Sequence, residues 1–377
     1  MVRLIETARV VSLVFPLTPI FRSGIHEIDQ IDNVVVEFGA GGVVGTGFTF
    51  AFRRADAEAT CALAADLAAT LVGEPIASVR DHWSQLWSRL NFIGHQGPSI
   101  MALSAIDTAL WDLHARTLKV PLHELFGTGE DAWPVYASGG SLELSVDELV
   151  AEGREIQSRG YAGYKLRVGG PDLATDIERV EAVRDALGFG YPLMVDANQG
   201  WSRVTALAAC RALSNLNLTW IEEPLDCEDI EGLALLRRRS EVPVAAGETA
   251  YGVRGLSELI RADAVDFLQP DLMRCGGVTP FVSIANLASA ANVAVMPHLY
   301  TDFSAHLMGL LPPGAMIEYL PGWFDHLFGP PQIANGRLTP GGPGLGLRLS
   351  EERTSSLIAS EWRSDRHQGG DLVAGPA

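Results

Sequence analysis

Cysteine is scarce in this sequence. The 377 residues include only Cys61, Cys210, Cys227 and Cys275, which lie far apart and lack the CxxC spacing of zinc or redox motifs. Disulfide frameworks are typical of small secreted proteins. We therefore expect four free, buried thiols in a reducing compartment, and no metal cluster built from cysteine.

Basic residues are also few. The sequence has 28 lysines and arginines and 46 aspartates and glutamates, which gives a net charge of −18 at pH 7. Proteins that bind the phosphate backbone need a basic surface that displaces counterions. The charge balance therefore argues against a nucleic-acid partner. An anionic substrate would require cations concentrated at its binding site.

Long hydrophobic runs are missing as well. No stretch approaches the roughly 20 apolar residues of a membrane-spanning helix. The apolar stretch 10–17 follows Glu6, is interrupted by Pro16 and has no small-residue cleavage site after it, unlike a signal peptide. The sequence predicts a cytoplasmic protein without a membrane partner.

The length and composition indicate a soluble α/β protein with more than one domain. Hydrophobic residues make up 47% and charged residues 20% of the chain, with 39 glycines and 21 prolines to form turns. Short alternating runs up to about residue 50 predict antiparallel hairpins, and helical periodicity follows over 57–71, 79–90 and 100–118. We expect an α+β domain over residues 1–130.

From Trp133 onwards the pattern changes to a repeated strand, turn and helix. Eight short apolar strands are predicted, at 135–137, 163–168, 193–195, 218–221, 242–246, 265–268, 293–296 and 315–317. This alternation implies parallel pairing, and eight strands favour a closed (β/α) barrel over an open doubly wound sheet. We expect the barrel over residues 131–325.

The remaining segment, 326–377, is rich in proline and glycine. We expect a short helix near 351–360 and a mobile tail after Arg363. The segment is expected to pack back on the N-terminal domain.

Polar side chains recur at the ends of the predicted barrel strands. Because these strand ends converge on one mouth of a barrel, where such folds carry their chemistry, the side chains should lie together. They are Lys165, Arg167, Asp196, Glu222, Glu248, Asp271, His298 and Glu318.

Three of these residues, Asp196, Glu222 and Glu248, are carboxylates spaced 26 residues apart. A single carboxylate at a strand end is often a helix N-cap, and that alternative stays open for each one. Three carboxylates in close proximity, however, repel one another unless a cation neutralises them. Oxygen ligands without histidine or cysteine favour Mg²⁺ over Zn²⁺ or Cu²⁺.

His298 and Asp271 follow neighbouring strands. An isolated histidine is often structural, but a carboxylate partner would orient the ring and raise its pKa, as in a general base. Glu318 follows the last strand. It would face the substrate carboxylate and, if protonated, donate a hydrogen bond, or it would form a salt bridge to a nearby cation.

Lys165 and Arg167 are two residues apart on one strand, so their side chains point to the same side. They form either a solvated face or an inward pair that holds an anionic substrate. Arginine stays protonated under ordinary conditions, so Arg167 is better suited to donating hydrogen bonds than to accepting a proton.

Together these motifs resemble the enolase superfamily, specifically its mandelate racemase group. The resemblance rests on Lys165-Leu166-Arg167, Asp196-Ala197-Asn198, Ile221-Glu222-Glu223-Pro224, Gly247-Glu248, Gln269-Pro270-Asp271, Met296-Pro297-His298, Glu318 and the helix 104–113. It implies an N-terminal α+β capping domain on a (β/α)₇β TIM-like barrel. It also implies Mg²⁺ bound by Asp196, Glu222 and Glu248, with the His298–Asp271 pair as the base.

The resemblance implies abstraction of the proton α to a carboxylate through an enediolate. The group usually has Lys-x-Lys where this sequence has Lys165-Leu166-Arg167. Racemisation needs a proton acceptor on each face of the carbanion, whereas dehydration needs one base and one acid. We therefore expect a hydro-lyase that converts a sugar acid, an aldonate or aldarate, to a 2-keto-3-deoxy acid. The alternatives are a racemase or epimerase of a 2-hydroxy acid and a non-catalytic paralogue.

Further residues are expected to contact the small-molecule carboxylate substrate. They are Asn198, after the third barrel strand, and Arg22 and His26 in the loop 18–30, which with the loop 91–96 could close over the site. The alternative is that both loops are ordinary surface loops with no role in substrate binding. We also expect a homo-oligomer.

Overall fold

The computed structural model describes residues 3–129 and 132–365, and residues 368–374 as backbone. Its strands are β1 Thr7–Arg22, β2 Glu27–Ala40, β3 Val43–Ala51, β4 Trp133–Ser138, β5 Tyr164–Arg167, β6 Leu193–Asp196, β7 Ile221–Glu222, β8 Val244–Ala246, β9 Phe267–Leu268, β10 Ala294–Val295, β11 Ile317–Tyr319, β12 Arg337–Leu338, β13 Ile358–Asp365 and β14 Gln368–Ala374.

The α-helices are α1 Arg54–Ala69, α2 Val79–Arg89, α3 Pro98–Leu118, α4 Val146–Ser158, α5 Leu173–Leu187, α6 Arg203–Leu213, α7 Ile230–Arg239, α8 Gly252–Arg261, α9 Leu272–Cys275, α10 Val278–Ala290, α11 Thr301–Ala305, α12 Asp325–Phe328 and α13 Glu351–Thr354. Short 3-10 helices lie at Leu90–Phe92, Leu122–Phe126, Ser214–Leu216, Met308–Leu310 and Ser355–Leu357.

The N-terminal part is an antiparallel sheet covered by helices, as predicted. Its strand order is β14-β13-β1-β2-β3, and α3 packs across it. Two glycines of β3 allow this close packing. A Cβ atom would lie 2.3 Å from the Leu113 backbone nitrogen if added at Gly45, and 2.1 Å from the Ala105 carbonyl oxygen if added at Gly47.

The second part is a curled parallel sheet of eight strands in the order β10-β9-β8-β7-β6-β5-β4-β11. Helices follow the strands alternately, which confirms the predicted (β/α)₇β barrel. No strand ladder pairs β10 with β11 among the described residues, but side-chain contacts join these two edges. The Met316 amide lies 3.3 Å from the Met296 sulfur, the Leu299 amide donates to the Glu318 carboxylate at 3.1 Å, and the Thr301 hydroxyl donates to the Glu318 carbonyl oxygen at 2.8 Å. A cluster of buried side chains fills the interior of the barrel, formed by Tyr136, Met194, Trp220 and Met296 together with the small Ala245.

The capping helix α3 holds the loop that follows β9. Ser104 Oγ donates to the Leu272 carbonyl oxygen at 2.7 Å. The Asp107 carboxylate accepts from the backbone nitrogen and the hydroxyl of Thr279, at 2.8 and 2.7 Å. These contacts place the N-terminal domain beside the barrel mouth, at the loop that carries Asp271.

The C-terminal segment differs from the prediction in one element. The helix expected at 351–360 ends at Thr354, and Ile358 begins β13, which pairs with β1. Trp362 of β13 is buried opposite Val10, and burial of this large ring on the sheet favours a strand there. The domain limits near 130 and 325 remain predictions. Within the tail expected to be mobile, 366, 367 and 375–377 lie outside the described residues.

All four cysteines are free thiols, and only Cys227 is partly exposed. Among the helices of the described ranges, none is both long and apolar enough to cross a membrane.

Candidate active site

The strand ends of the barrel and the loop 18–30 enclose one cavity. Seven of the residues expected from the sequence contribute to its lining: His26, Arg167, Asp196, Asn198, Glu248, Asp271 and His298. Lys165, Glu222 and Glu318 are buried directly beside them, with side-chain exposures of 1% or less. The barrel therefore brings together the residues that the sequence placed at separate strand ends.

The three carboxylates form a compact cluster. One oxygen each of Asp196, Glu222 and Glu248 lies within 4.8 Å of the others. Burial, followed by the charge of Glu222, raises the pKa of Asp196 to about 6. Burial and the neighbouring carboxylates, Glu223 first, raise the pKa of Glu248 well above its ordinary value. The cluster is thus an arrangement that a bound cation would stabilise.

This cluster fits a hard divalent cation. It offers only oxygen ligands, and Glu248 Oε2 is buried without a hydrogen-bond donor among the described residues. Carboxylate oxygens are the ligands that Mg²⁺ prefers in proteins. Asp196, Glu222 and Glu248 are therefore the residues that could hold Mg²⁺.

Lys165 lies between two carboxylates. Its ammonium group contacts Glu222 and lies 2.8 Å from Glu318 and 3.8 Å from Asp196. Burial alone would lower the pKa of Lys165, but these three carboxylates raise it above its ordinary value. The side chain is therefore a buried cation inside the site, which excludes the solvated-face alternative.

Arg167 contacts the first carboxylate of the cluster. Its Nη1 lies 3.0 Å from Asp196 Oδ2, and the guanidinium carbon is 5.4 Å from the centre of the Phe21 ring. The Nε atom has no hydrogen-bond acceptor among the described residues. Arg167 can therefore still donate to a ligand in the cavity.

His298 and Asp271 form a close pair. His298 Nδ1 lies 2.6 Å from Asp271 Oδ2, and the backbones of the two residues form a parallel bridge. Because the carboxylate only accepts, Nδ1 carries the hydrogen and Nε2 is left as an acceptor. Burial would lower the pKa of His298, but Asp271 and Glu318 raise it above its ordinary value. Asp271 Oδ1 also accepts from the Met273 and Arg274 amides, so it caps α9 as well.

Glu318 forms the salt bridge that was the alternative to a protonated hydrogen-bond donor. It pairs with Lys165 at 2.8 Å and accepts from the Leu299 amide at 3.1 Å. Burial opposes its ionisation, but Lys165 and His298 lower the pKa of Glu318 to about 2. In this arrangement Glu318 is an ionised carboxylate.

The residues expected to contact the substrate lie in different places. The Asn198 side-chain nitrogen donates to Asp196 Oδ2 at 3.1 Å, and its side-chain oxygen has no partner among the described residues. His26 lines the cavity beside Phe52. Arg22 does not line it, because Glu27 and Glu143 hold its guanidinium at 3.0 and 2.8 Å. The expectation that Arg22 binds substrate is therefore not supported.

The other expected loop is also held away from the cavity. In the loop 91–96, the His95 ring is stacked on Trp87 with centroids 3.6 Å apart, and its Nε2 lies 2.8 Å from the Trp87 carbonyl oxygen. Neither residue contributes to the cavity lining.

Phe21, in the loop 18–30 expected to close over the site, lines the cavity, but sequence reasoning missed several other lining residues, among them Arg274, Glu223 and the aromatic side chains of Phe50, Phe52 and Trp323 that continue the wall. Glu223 accepts from Thr249 at 2.5 Å and from Gln199 at 3.0 Å, and burial raises its pKa to about 7. The sequence signal that could have indicated Arg274 as a lining residue is its position, three residues after Asp271. Nothing in the local sequence indicates the aromatic wall, because its members are distant along the chain.

Comparison with known proteins agrees with this geometry. Residues 5–127 match the model of the mandelate racemase / muconate lactonizing enzyme N-terminal domain, and residues 148–353 match that of the enolase C-terminal domain-like family. The chain is similar to L-talarate/galactarate dehydratase of Salmonella typhimurium, with 38% identity over 82% of this chain and 78% of that protein.

A second relative is 3,6-anhydro-alpha-L-galactonate cycloisomerase of Streptomyces coelicolor, with 34% identity over 84% of this chain and 88% of that protein. The crystal structure of the Salmonella dehydratase, liganded with Mg and L-lyxarohydroxamate, superimposes with a TM-score of 0.92. The alignment covers 98% of this chain and 96% of that chain at 32% identity. The chain belongs to the mandelate racemase / muconate lactonizing enzyme family of the enolase superfamily.

Proposed function

We propose that the protein is a Mg²⁺-dependent dehydratase that removes water from a sugar acid and forms a 2-keto-3-deoxy acid. The proposal rests on one feature of the site: the oriented His298–Asp271 pair and the carboxylate cluster face each other in a single cavity. His298 Nε2 lies 3.3 Å from Glu248 Oε2, so the base and the proposed metal ligands are adjacent.

Asp196, Glu222 and Glu248 would hold Mg²⁺. When bound, the ion supplies Lewis-acid stabilisation of the negative charge that develops on the substrate carboxylate as the α-proton leaves. Lys165 is already fixed between Glu222 and Glu318, so its charge is available to the same carboxylate without reorganisation.

His298 is the proposed base. Asp271 fixes the ring with Nδ1–H inward, which leaves the Nε2 lone pair to accept the α-proton. The carbanion then expels the β-hydroxyl, which takes one proton and leaves as water. His298 donates that proton if the hydroxyl lies on its side, and Lys165 is the acid otherwise. The resulting enol tautomerises to the 2-keto acid.

Two features favour dehydration over racemisation. Arg167 occupies the position at which the family usually has a second lysine, and arginine does not readily accept a proton. Lys165 is enclosed by carboxylates that favour its charged form. A base is therefore credible only on the side of His298.

The relatives support a sugar acid as the substrate. Their names include galactarate, which has two carboxylates, and an anhydro-galactonate, which has one. Both are carboxylic acids with an α-proton, as the proposed reaction requires.

The test is a screen of aldonates and aldarates for 2-keto acid formation, run with Mg²⁺ and again with excess EDTA. We expect at least one acid to react, and only with the metal present. Absence of turnover across the whole library with Mg²⁺, by protein with a cooperative unfolding transition, would contradict the proposal.

A further inference from the structure

Arg274 is a cavity-lining cation that the proposed reaction does not use. It is the third residue of the short helix α9, and its position is fixed because Asp271 Oδ1 accepts from its backbone nitrogen at 3.0 Å. Its guanidinium carbon lies 5.5 Å from the centre of the Tyr251 ring. It borders the same cavity as His26, Arg167 and His298.

Arg274 differs from the two other cations of the site in its contacts. Lys165 pairs with Glu222 and Glu318, and Arg167 pairs with Asp196. The Arg274 guanidinium forms no hydrogen bond or ion pair with any residue that the structure describes, and it lies over the Tyr251 ring. Its guanidinium donors are therefore available to a ligand in the cavity.

We propose that Arg274 binds a second carboxylate of the substrate, so that the substrate is a dicarboxylic sugar acid, an aldarate. This inference rests on the proposed function, which already assigns the first carboxylate to the metal side of the cavity. A guanidinium presents parallel N–H donors that match both oxygens of a carboxylate, whereas the terminal hydroxymethyl group of an aldonate offers one neutral oxygen.

Other polar atoms of the cavity suit the hydroxyl groups between two carboxylates. The Ser23 hydroxyl, the Asn198 side-chain oxygen and Arg167 Nε are all buried without a partner among the described residues. They provide both donors and acceptors, as a chain of hydroxyl groups requires. The cavity thus offers a cation for the far carboxylate and unpaired polar atoms for the hydroxyls.

The alternative is that Arg274 only offsets the charge of nearby carboxylates. Asp271 is the acid closest to it in sequence, but that carboxylate already accepts from two backbone amides and pairs with His298. An offsetting role would affect every substrate equally. A carboxylate-binding role would affect only diacids, so the two roles are separable.

The experiment compares an aldarate with the aldonate of the same configuration, which differ only at the last carbon. The variants are Arg274→Met and Arg274→Lys, with Arg254→Met as the matched control. Arg254 is an exposed arginine of α8 that does not line the cavity. The readouts are kcat/KM with Mg²⁺, the thermal midpoint, and affinity by isothermal titration.

The wild type is expected to prefer the aldarate. Arg274→Met should lower kcat/KM for the aldarate about 100-fold, the scale expected for losing one partner of a buried charged pair. It should change the aldonate by less than about threefold, and Arg274→Lys should recover part of the aldarate activity because it restores the charge. Arg254→Met should resemble the wild type.

Equal loss for both acids in Arg274→Met, or a wild type that prefers the aldonate, would overturn the inference while leaving the dehydratase proposal intact. If neither acid reacts, the proposed function fails. The isothermal titration then still tests whether Arg274 binds a second carboxylate. Equal affinity of the Mg²⁺-loaded wild type for the diacid and the monoacid overturns it.

Discussion

Arg167 is the residue at which this site departs from the usual pattern of its family. The alternation of β5 points it to the same side as Lys165, so the barrel places two cations against the carboxylate cluster. A lysine here could give up and accept a proton, but an arginine keeps its charge. The substitution therefore determines whether one or both faces of the carbanion meet a base.

Arg167→Lys should add proton exchange on the second face. We expect the variant, assayed in D₂O by proton NMR, to incorporate deuterium at the α-carbon of unreacted substrate and to form some of the epimer, because a lysine amine can act as a base. Arg167→Met removes the charge without adding a base and should show no new exchange. A wild type that itself epimerises its substrate would refute the one-base account.

The residues of the site were predictable to different extents. The three carboxylates, His298 and Asp271 were found from the sequence because each directly follows an apolar strand, and a barrel makes strand ends converge. Arg22 was expected at the substrate and Arg274 was not singled out, because the surroundings of both residues depend on tertiary contacts. Glu143, from the loop before α4, forms an ion pair with Arg22, whereas Arg274 pairs with no carboxylate in the part of the chain that the structure describes.

At the scale of elements, the contact between β3 and α3 fixes the N-terminal domain. Both glycines of this contact face helix backbone rather than side chains, so an added methyl group cannot be accommodated by a rotamer change. The same helix binds the loop after β9 through Ser104 and Asp107. Packing within the capping domain is thereby linked to the position of the loop that carries Asp271.

Gly47→Ala should destabilise the protein by about 1–3 kcal/mol, the usual range for overpacking, because its Cβ would lie 2.1 Å from the Ala105 carbonyl oxygen. Gly190→Ala is the control, since its Cβ would meet nothing within 4 Å. Its effect should stay within about 0.5 kcal/mol. Urea unfolding of both variants gives the comparison, and equal stabilities would show that the β3–α3 contact is not tight.

Most barrel elements followed from hydrophobic patterns, since each barrel strand is a short apolar run and most of the strands are separated by a helical pattern. The C-terminal strand β13 did not. Its polar residues resemble a surface helix locally, and only pairing with β1, more than 300 residues earlier, makes it a strand. Pairing over that distance leaves no local signal.

At the scale of the whole molecule, buried histidines join the N-terminal part to the barrel. His123, in a 3-10 helix after α3, lies with its Nδ1 3.3 Å from Nδ1 of His306, which follows α11. His326 is stacked on Phe15 of β1 and lies 3.0 Å from the Asn33 side-chain nitrogen. These contacts bury the His306 and His326 side chains in the folded protein.

The protein should lose stability in mild acid. Burial, followed by the charge of His123, lowers the pKa of His306 to about 3, and burial lowers that of His326 to about 4. Below the ordinary histidine pKa of about 6.5, these two histidines become protonated in the unfolded chain but stay neutral in the folded chain. The free energy of unfolding therefore falls as the pH drops from about 6.5 towards 3.

His306→Gln should make the thermal midpoint less dependent on pH between 6.5 and 4.5, because one of these groups no longer titrates. Differential scanning calorimetry at several pH values in that window measures the slope. The same slope in wild type and variant would show that His306 does not remain neutral in the folded protein.

In the proposed mechanism, His298 removes the α-proton of a sugar acid beside a magnesium site. The most direct measurement is the rate of 2-keto acid formation by His298→Asn, with Mg²⁺ affinity determined by calorimetry on the same protein. We predict a rate about 10²–10⁴-fold below that of the wild type, the usual contribution of a general base, with Mg²⁺ affinity unchanged. A variant that binds Mg²⁺ and keeps the wild-type rate would contradict the account.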